Sequence, residues 1–171
     1  MDIFSRHDDA TRQRLERFDQ CFDMLEELAH SNFPSPVDQL EHSLQTATGA
    51  WRDHAPADLV LAALLHDVGR VIDDYDHGLA SAELIRPLVG DAAYWIVRTH
   101  EIFNWRHTPP EYGLDRNGRE VFRDKPWFAT AEIFVDRWDS HAFAQDATAL
   151  PPAFFYPMLR DRYTLGARTA I

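Results

Sequence analysis

The stretch ALLHDVGR, Ala63 to Arg70, limits what this chain can fold into more than any other. It closes ADLVLAALLHD, a run apolar on nearly every side that reads as the most buried helix. His66 and Asp67 are therefore two ionisable groups placed where the pattern calls for core. Burying them without partners costs several kcal/mol. A hydrogen-bonded His–Asp pair would compensate that cost, and so would a metal ion.

The other patterns are helical too. Leu15, Phe18, Phe22, Leu25 and Leu28/Ala29 recur at helical spacing. SNFPSP breaks that first helix. Ser35-Pro36-Val37-Asp38 then reads as a new start, with Ser35 as N-cap and Pro36 at N1. The second helix carries Val37, Leu40, Leu44, Ala47 and Trp51 on one face. Ala55-Pro56 opens the third, and Gly69 is expected to end it. A fourth runs from about His77 to Leu88, and Asp91 caps a fifth through YWIVRTHEIF. Residues 104–119 read as loop. A sixth spans WFATAEIFVDRWDSHAF from about Pro126, and a last one follows LPP, with Phe154, Phe155, Met158, Leu159 and Tyr163. No segment alternates as a strand does. The expectation is an all-α fold, a single bundle of about six to seven helices. At 171 residues one domain is expected over 1–171, with an N-terminal helix and connector over 1–34 and a helical core over 35–165.

Charge narrows the partners. The chain holds 28 acidic against 17 basic residues, a formal net charge of −11, spread along its length. That disfavours nucleic acid and anionic membrane surfaces, which need clustered Lys/Arg. A small-molecule substrate and a monomer or homodimer are expected. Cys21 is the single cysteine, which rules out an internal disulfide and a Cys-rich zinc site and fits a reducing compartment. The N-terminal MDIFSRHDDATRQRLERF is too charged for a signal peptide, and no apolar stretch approaches the roughly 18 residues of a membrane span. The expected location is cytoplasmic.

Partners for His66 and Asp67 follow in order. His42 lies between Leu40 and Leu44, His77 opens the fourth helix, His100 ends YWIVRTH, and Asp139 follows Trp138. Four histidines and two carboxylates near apolar helical faces exceed what one ion pair needs. Imidazoles and carboxylates suit first-row divalent metals such as iron and manganese. An adjacent His and Asp can serve two metals, because a carboxylate has two oxygens and the ions of a two-metal site lie about 3.5–4 Å apart. Asp136 is the rival to Asp139, and the RWD context favours Asp139. His7, His30, His54, His107 and His141 fall outside the pattern and read as solvated or hydrogen-bonded. Trp95, Trp105, Trp127 and Trp138 read as packing.

The pattern H…HD…D, at His42, His66-Asp67 and Asp139, resembles the HD-domain superfamily of all-helical, metal-dependent proteins. His77 and His100 match its dinuclear members. Most members are phosphohydrolases. A smaller branch consists of mixed-valence di-iron oxygenases, among them inositol oxygenase and the dioxygenase that cleaves 2-amino-1-hydroxyethylphosphonate. QLEHSLQTA, LVLAALLHDVG, HGLASAEL and RWDSHAF are similar to the phosphonate-cleaving member, and the likeness runs from about Val37 to Tyr163. The resemblance implies an HD-domain bundle around two iron ions, an Fe(II)/Fe(III) pair. His42, His66, Asp67 and Asp139 would hold one, and Asp67, His77 and His100 the other, with Asp67 bridging. It implies O₂-dependent cleavage of a C–C or C–P bond next to a hydroxyl-bearing carbon, with no catalytic residue beyond the metal ligands. The alternative is a dinuclear HD phosphohydrolase using manganese or magnesium. Both use the same ligands, so the metal's identity and redox behaviour separate them.

The departures from that member lie around the substrate. Arg70 stands where it has a histidine and Asn104 where it has a lysine. Asn32 and Ser35 stand where it has a tyrosine and a glutamate that cover its empty iron position. A glutamine- and glycine-rich segment is absent, and the loop before Pro126 is shorter. The substrate is therefore not expected to be 2-amino-1-hydroxyethylphosphonate. Arg70 is the candidate for a new specificity, since a guanidinium one turn from His66 can contact a carboxylate, phosphonate or sulfonate bidentately. Asn104 is the second candidate for substrate binding.

Overall fold

Every regular element is helical in the computed structural model, which describes the backbone of residues 3–30 and 35–165 and the side chains of 8–30 and 35–161. The elements are α1 (Ile3–Glu27), α2 (Gln39–Arg52), α3 (Ala57–Leu65), α4 (His77–Ile85), α5 (Asp91–Asn104), α6 (Phe128–Ile133) and α7 (Pro152–Leu165). No strand occurs among the described residues. Asn32 and the side chain of Tyr163 lie outside them.

The central element is α3, because its sequence leaves no polar face to turn to water. Leu61 to Leu65 are wholly buried. Helices α2 and α5 pack against it, and α4 packs along α5. The outer layer is α1 against α7. There the rings of Phe18 and Phe22 lie 5.5 and 5.0 Å from that of Tyr156, and Tyr156 Oη donates to Asp19 at 2.8 Å. None of the described helices is long and apolar enough to cross a membrane.

Several boundaries differ from the expectation. Helix α2 begins at Gln39, so Ser35, Pro36 and Val37 precede it. Its N-cap is Asp38, whose carboxylate accepts the Glu41 amide at 2.8 Å and satisfies an otherwise orphaned donor. Trp51 is 40% exposed and leans on Phe154 instead of joining the core face. Helix α4 stops at Ile85, two residues before Pro87, which has no backbone N–H to continue the hydrogen-bond ladder. Asp91 is the first residue of α5 rather than its cap, with its charge near the positive end of the helix dipole. The 104–119 region is not all loop. Short 3-10 turns occupy Pro110–Tyr112 and Gly118–Phe122.

Gly69 does not end α3. The helix stops at Leu65, and Gly69 sits inside a 3-10 turn, Val68–Val71. A Cβ at Gly69 would lie 2.5 Å from both the His77 oxygen and the Ser81 nitrogen. The residue is small because α4 touches this turn, an approach sealed by the Gly69 amide donating to Ser81 Oγ at 2.8 Å. That contact brings the start of α4, and His77 with it, up to His66 and Asp67.

Candidate metal centre

Five elements deliver the six candidate side chains to one place. His42 comes from α2, His66 from the C-terminal cap of α3, Asp67 from the next residue, His77 from the start of α4, and His100 from α5. Asp139 opens a 3-10 turn after α6. All six are 4% exposed or less.

The histidines are held in one orientation. Nδ1 faces a backbone carbonyl in each: His42 to Ala142 at 3.0 Å, His66 to Ala63 at 2.9 Å, His100 to Val97 at 2.7 Å and His77 to Asp74 at 3.3 Å. Glu101 lies a further 3.3 Å from His77 Nδ1. A ring that donates its Nδ1–H to such an acceptor presents an Nε2 lone pair on the other side. These lone pairs converge. Nε2 of His42 and Nε2 of His66 are 3.1 Å apart. Two such nitrogens facing each other repel unless a proton or a cation lies between them.

Asp67 spans the cluster. Its Oδ2 is 3.7 Å from Nε2 of both His42 and His66, and its Oδ1 is 3.1 Å from His77 and 3.3 Å from His100. Oδ1 is buried and accepts no hydrogen bond. Asp139 Oδ1 lies 3.2 Å from His42 and 3.7 Å from His66. Two overlapping groups thus have ligand atoms within 4.8 Å of one another: His42, His66 and Asp139, and His66, Asp67 and His100. The donor set fits a dinuclear metal site: converging imidazole nitrogens and a buried carboxylate oxygen that accepts no hydrogen bond.

Electrostatics favour charged carboxylates here. Burial alone would raise both carboxyl pKa values. His66, His100, His77 and Arg70 outweigh it at Asp67, and His66 and His42 outweigh it at Asp139, so both stay well below the ordinary carboxylate range. Burial pushes the His42 imidazole down, but Asp139 and Asp67 outweigh that and hold it above its ordinary value. Protons and metal ions therefore compete for the same donors.

The segment after α6 decides between the two aspartates. In a regular helix, residues three apart share a face. Here α6 widens into a π-helical turn over Phe134–Trp138 before tightening at Asp139–His141. The widening turns Asp136 away to Arg119, at 2.9 and 3.0 Å, and to His107, at 2.7 Å. Asp139 enters the cluster, and Asn104 Nδ2 donates to its other oxygen at 2.6 Å.

A cavity of about 490 Å³ opens onto His42, Asp67, His77, His100 and Asp139. Arg70 and Asn104 line it. Arg70 is tied to the cluster: Nε is 3.1 Å from Asp67 Oδ2, Nη2 is 3.1 Å from His77 Nε2, and Nη1 donates to Asp74 at 2.7 Å. Three further wall residues were not singled out by the sequence. Glu101 also accepts the Gly78 amide at 3.2 Å. Phe143 stacks on His42, with ring centroids 4.3 Å apart. His107 pairs with Asp136. The only sequence signal for Glu101 is its place next to His100, and none marks the other two.

An all-helical bundle that buries four imidazoles and two carboxylates under an open cavity defines a class of helical metalloprotein. The chain belongs to the HD-domain family, whose model matches residues 39–142. That range includes all six side chains of the cluster. The chain is also 32% identical over 158 residues to hydroxymethylphosphonate dioxygenase of Gimesia maris, an alignment covering 74% of this chain and 78% of that protein. The family is the one that the H…HD…D pattern resembles, and this relative is a phosphonate dioxygenase.

Proposed function

We propose that this chain is a non-haem di-iron oxygenase. It uses O₂ to cleave a C–P or C–C bond next to the hydroxyl-bearing carbon of a small anionic substrate. The dinuclear part of this reading rests on Asp67, whose two oxygens face two different histidine pairs at the floor of one cavity. The phosphonate dioxygenase relative supports the reaction class. His42, His66, Asp67 and Asp139 would hold one iron, and Asp67, His77 and His100 the other. Bound iron would supply the redox chemistry that side chains lack.

The chain's own residues bind and orient. The carbonyls of Ala142, Ala63, Asp74 and Val97 fix which ring nitrogen each histidine presents. Asn104 sets the orientation of Asp139. Phe143 covers one face of His42 and keeps water from it. Arg70 supplies positive charge on the cavity wall, where an anionic head would lie. Its bond to Asp74 is the one it can exchange for substrate, because Asp74 is 66% exposed while Asp67 is buried.

The test is oxygen uptake by the iron-loaded protein with hydroxymethylphosphonate. Cleavage of its C–P bond by one O₂ gives formate and inorganic phosphate, and the three quantities should match one to one. No uptake, with manganese-supported hydrolysis of phosphate esters, would assign the same cluster to the hydrolytic members of the family.

A further inference from the structure

Helix α4 starts hard against α5 because Gly78 has no side chain. A Cβ there would lie 2.9 Å from Glu101 Oε2 and 3.3 Å from the Val97 carbonyl oxygen. Asp76, the residue before the helix, gives no side-chain cap. The Gly78 amide, one of the orphaned donors of a helix start, instead donates to Glu101 Oε2 at 3.2 Å. That leaves Oε1 of the same carboxylate 3.3 Å from His77 Nδ1. One side chain of α5 thus caps α4 and also lies behind the imidazole that opens it.

The ring hydrogen of His77 is on the Glu101 side. Arg70 Nη2 is 3.1 Å from Nε2, and a guanidinium can only donate, so Nε2 is the acceptor. Asp67 Oδ1, also 3.1 Å from Nε2, accepts no hydrogen bond. Nδ1 therefore carries the hydrogen and points it between the Asp74 carbonyl and the Glu101 carboxylate, 3.3 Å from each. Nδ1 of His42, His66 and His100 faces a neutral carbonyl. A carboxylate behind a ligating imidazole fixes the ring and makes its opposite nitrogen a stronger donor. The two halves of the cluster are therefore not supported alike.

We propose that Glu101 is the positioning residue for His77, and that it tightens metal binding in the half of the cluster formed by His77 and His100 while leaving the half formed by His42, His66 and Asp139 as it is. The proposal rests on the two-metal part of the reading above and on no particular reaction. Loss of an outer partner of this kind typically costs about 10- to 100-fold in metal affinity.

The experiment is release of manganese from the loaded full chain against graded chelator, with bound metal per chain read by elemental analysis after gel filtration. Glu101→Gln keeps the size of the side chain and removes its charge. Wild type should hold two equivalents. Glu101→Gln should release one of them at about 10- to 100-fold lower chelator and hold the other as wild type does. In a His77→Ala background the same substitution should change nothing further, because Glu101 acts through the ring. Two equivalents with unshifted release in Glu101→Gln would overturn the proposal and leave the two-metal reading standing. An equal shift of both equivalents would mean a general loosening of the fold and would overturn it as well. A wild type that holds a single equivalent would instead reject the two-metal reading, and the proposal with it.

Discussion

Asp67 faces His42 and His66 with one oxygen and His77 and His100 with the other, so its removal strips both halves of the cluster at once. Asp67→Ala is expected to abolish turnover and to lower bound metal from two equivalents to one or fewer, read by elemental analysis after gel filtration. Full metal content would reject the bridging role. Asn104→Ala removes the 2.6 Å hydrogen bond to Asp139. Loss of such outer support typically costs about 10- to 100-fold in metal affinity, and chelator competition should show a loss of that size. Unchanged affinity would mean that Asp139 is oriented by something else. The six polar residues of the cluster were legible because each contradicts the apolar face that carries it. Phe143 and His107 contradict nothing locally. They reach the cavity only through tertiary folding, which leaves no periodic trace.

At the scale of elements, the Val68–Val71 turn and the start of α4 fit together only because Gly69 has no side chain. Gly69→Ala puts a Cβ 2.5 Å from two backbone atoms. It should cost about 1–3 kcal/mol or more in urea unfolding, since overpacking backbone leaves no rotamer to escape into. A neutral substitution would show that α4 can slide. The helices themselves were legible from period and caps, but the meaning of Gly69 was not: a glycine after a helix reads as a stop, and here it marks a contact. The π-helical turn was equally hidden, because Asp136 and Asp139 at a spacing of three read as one face. Their separation has an acid signature. Burial raises the Asp136 pKa, but Arg119 and His107 outweigh it, so the folded value lies below the ordinary one. A depressed carboxyl stabilises the fold fully above its unfolded pKa of about 3.9 and loses that contribution as pH falls through the folded value. The stability difference between wild type and Asp136→Asn should therefore be full at pH about 5 and shrink below about 4. A difference that persists unchanged under strong acid would contradict it.

For the whole molecule, the cluster is a cost to the metal-free fold and a gain to the loaded one. Unpaired donors sit in the interior, with His42 and His66 nitrogens 3.1 Å apart. Metal that binds only the folded state stabilises it by mass action, about 2.7 kcal/mol at a hundredfold excess over Kd. Chelation should thus lower the melting temperature by roughly 5–10 °C, and metal should restore it. An all-α architecture was legible from the absence of alternating segments. Which helices meet was not: the pairing of α1 with α7 rests on Phe18, Phe22 and Tyr156, far apart in sequence. The central claim is a pair of irons bridged by Asp67. It is tested most directly by the low-temperature electron paramagnetic resonance spectrum of protein loaded anaerobically with Fe(II) and partly oxidised. The expected result is the signal of an antiferromagnetically coupled Fe(II)/Fe(III) pair, with g values below the free-electron value. A spectrum showing only isolated ferric iron, from protein that has taken up its full complement of metal, would contradict it.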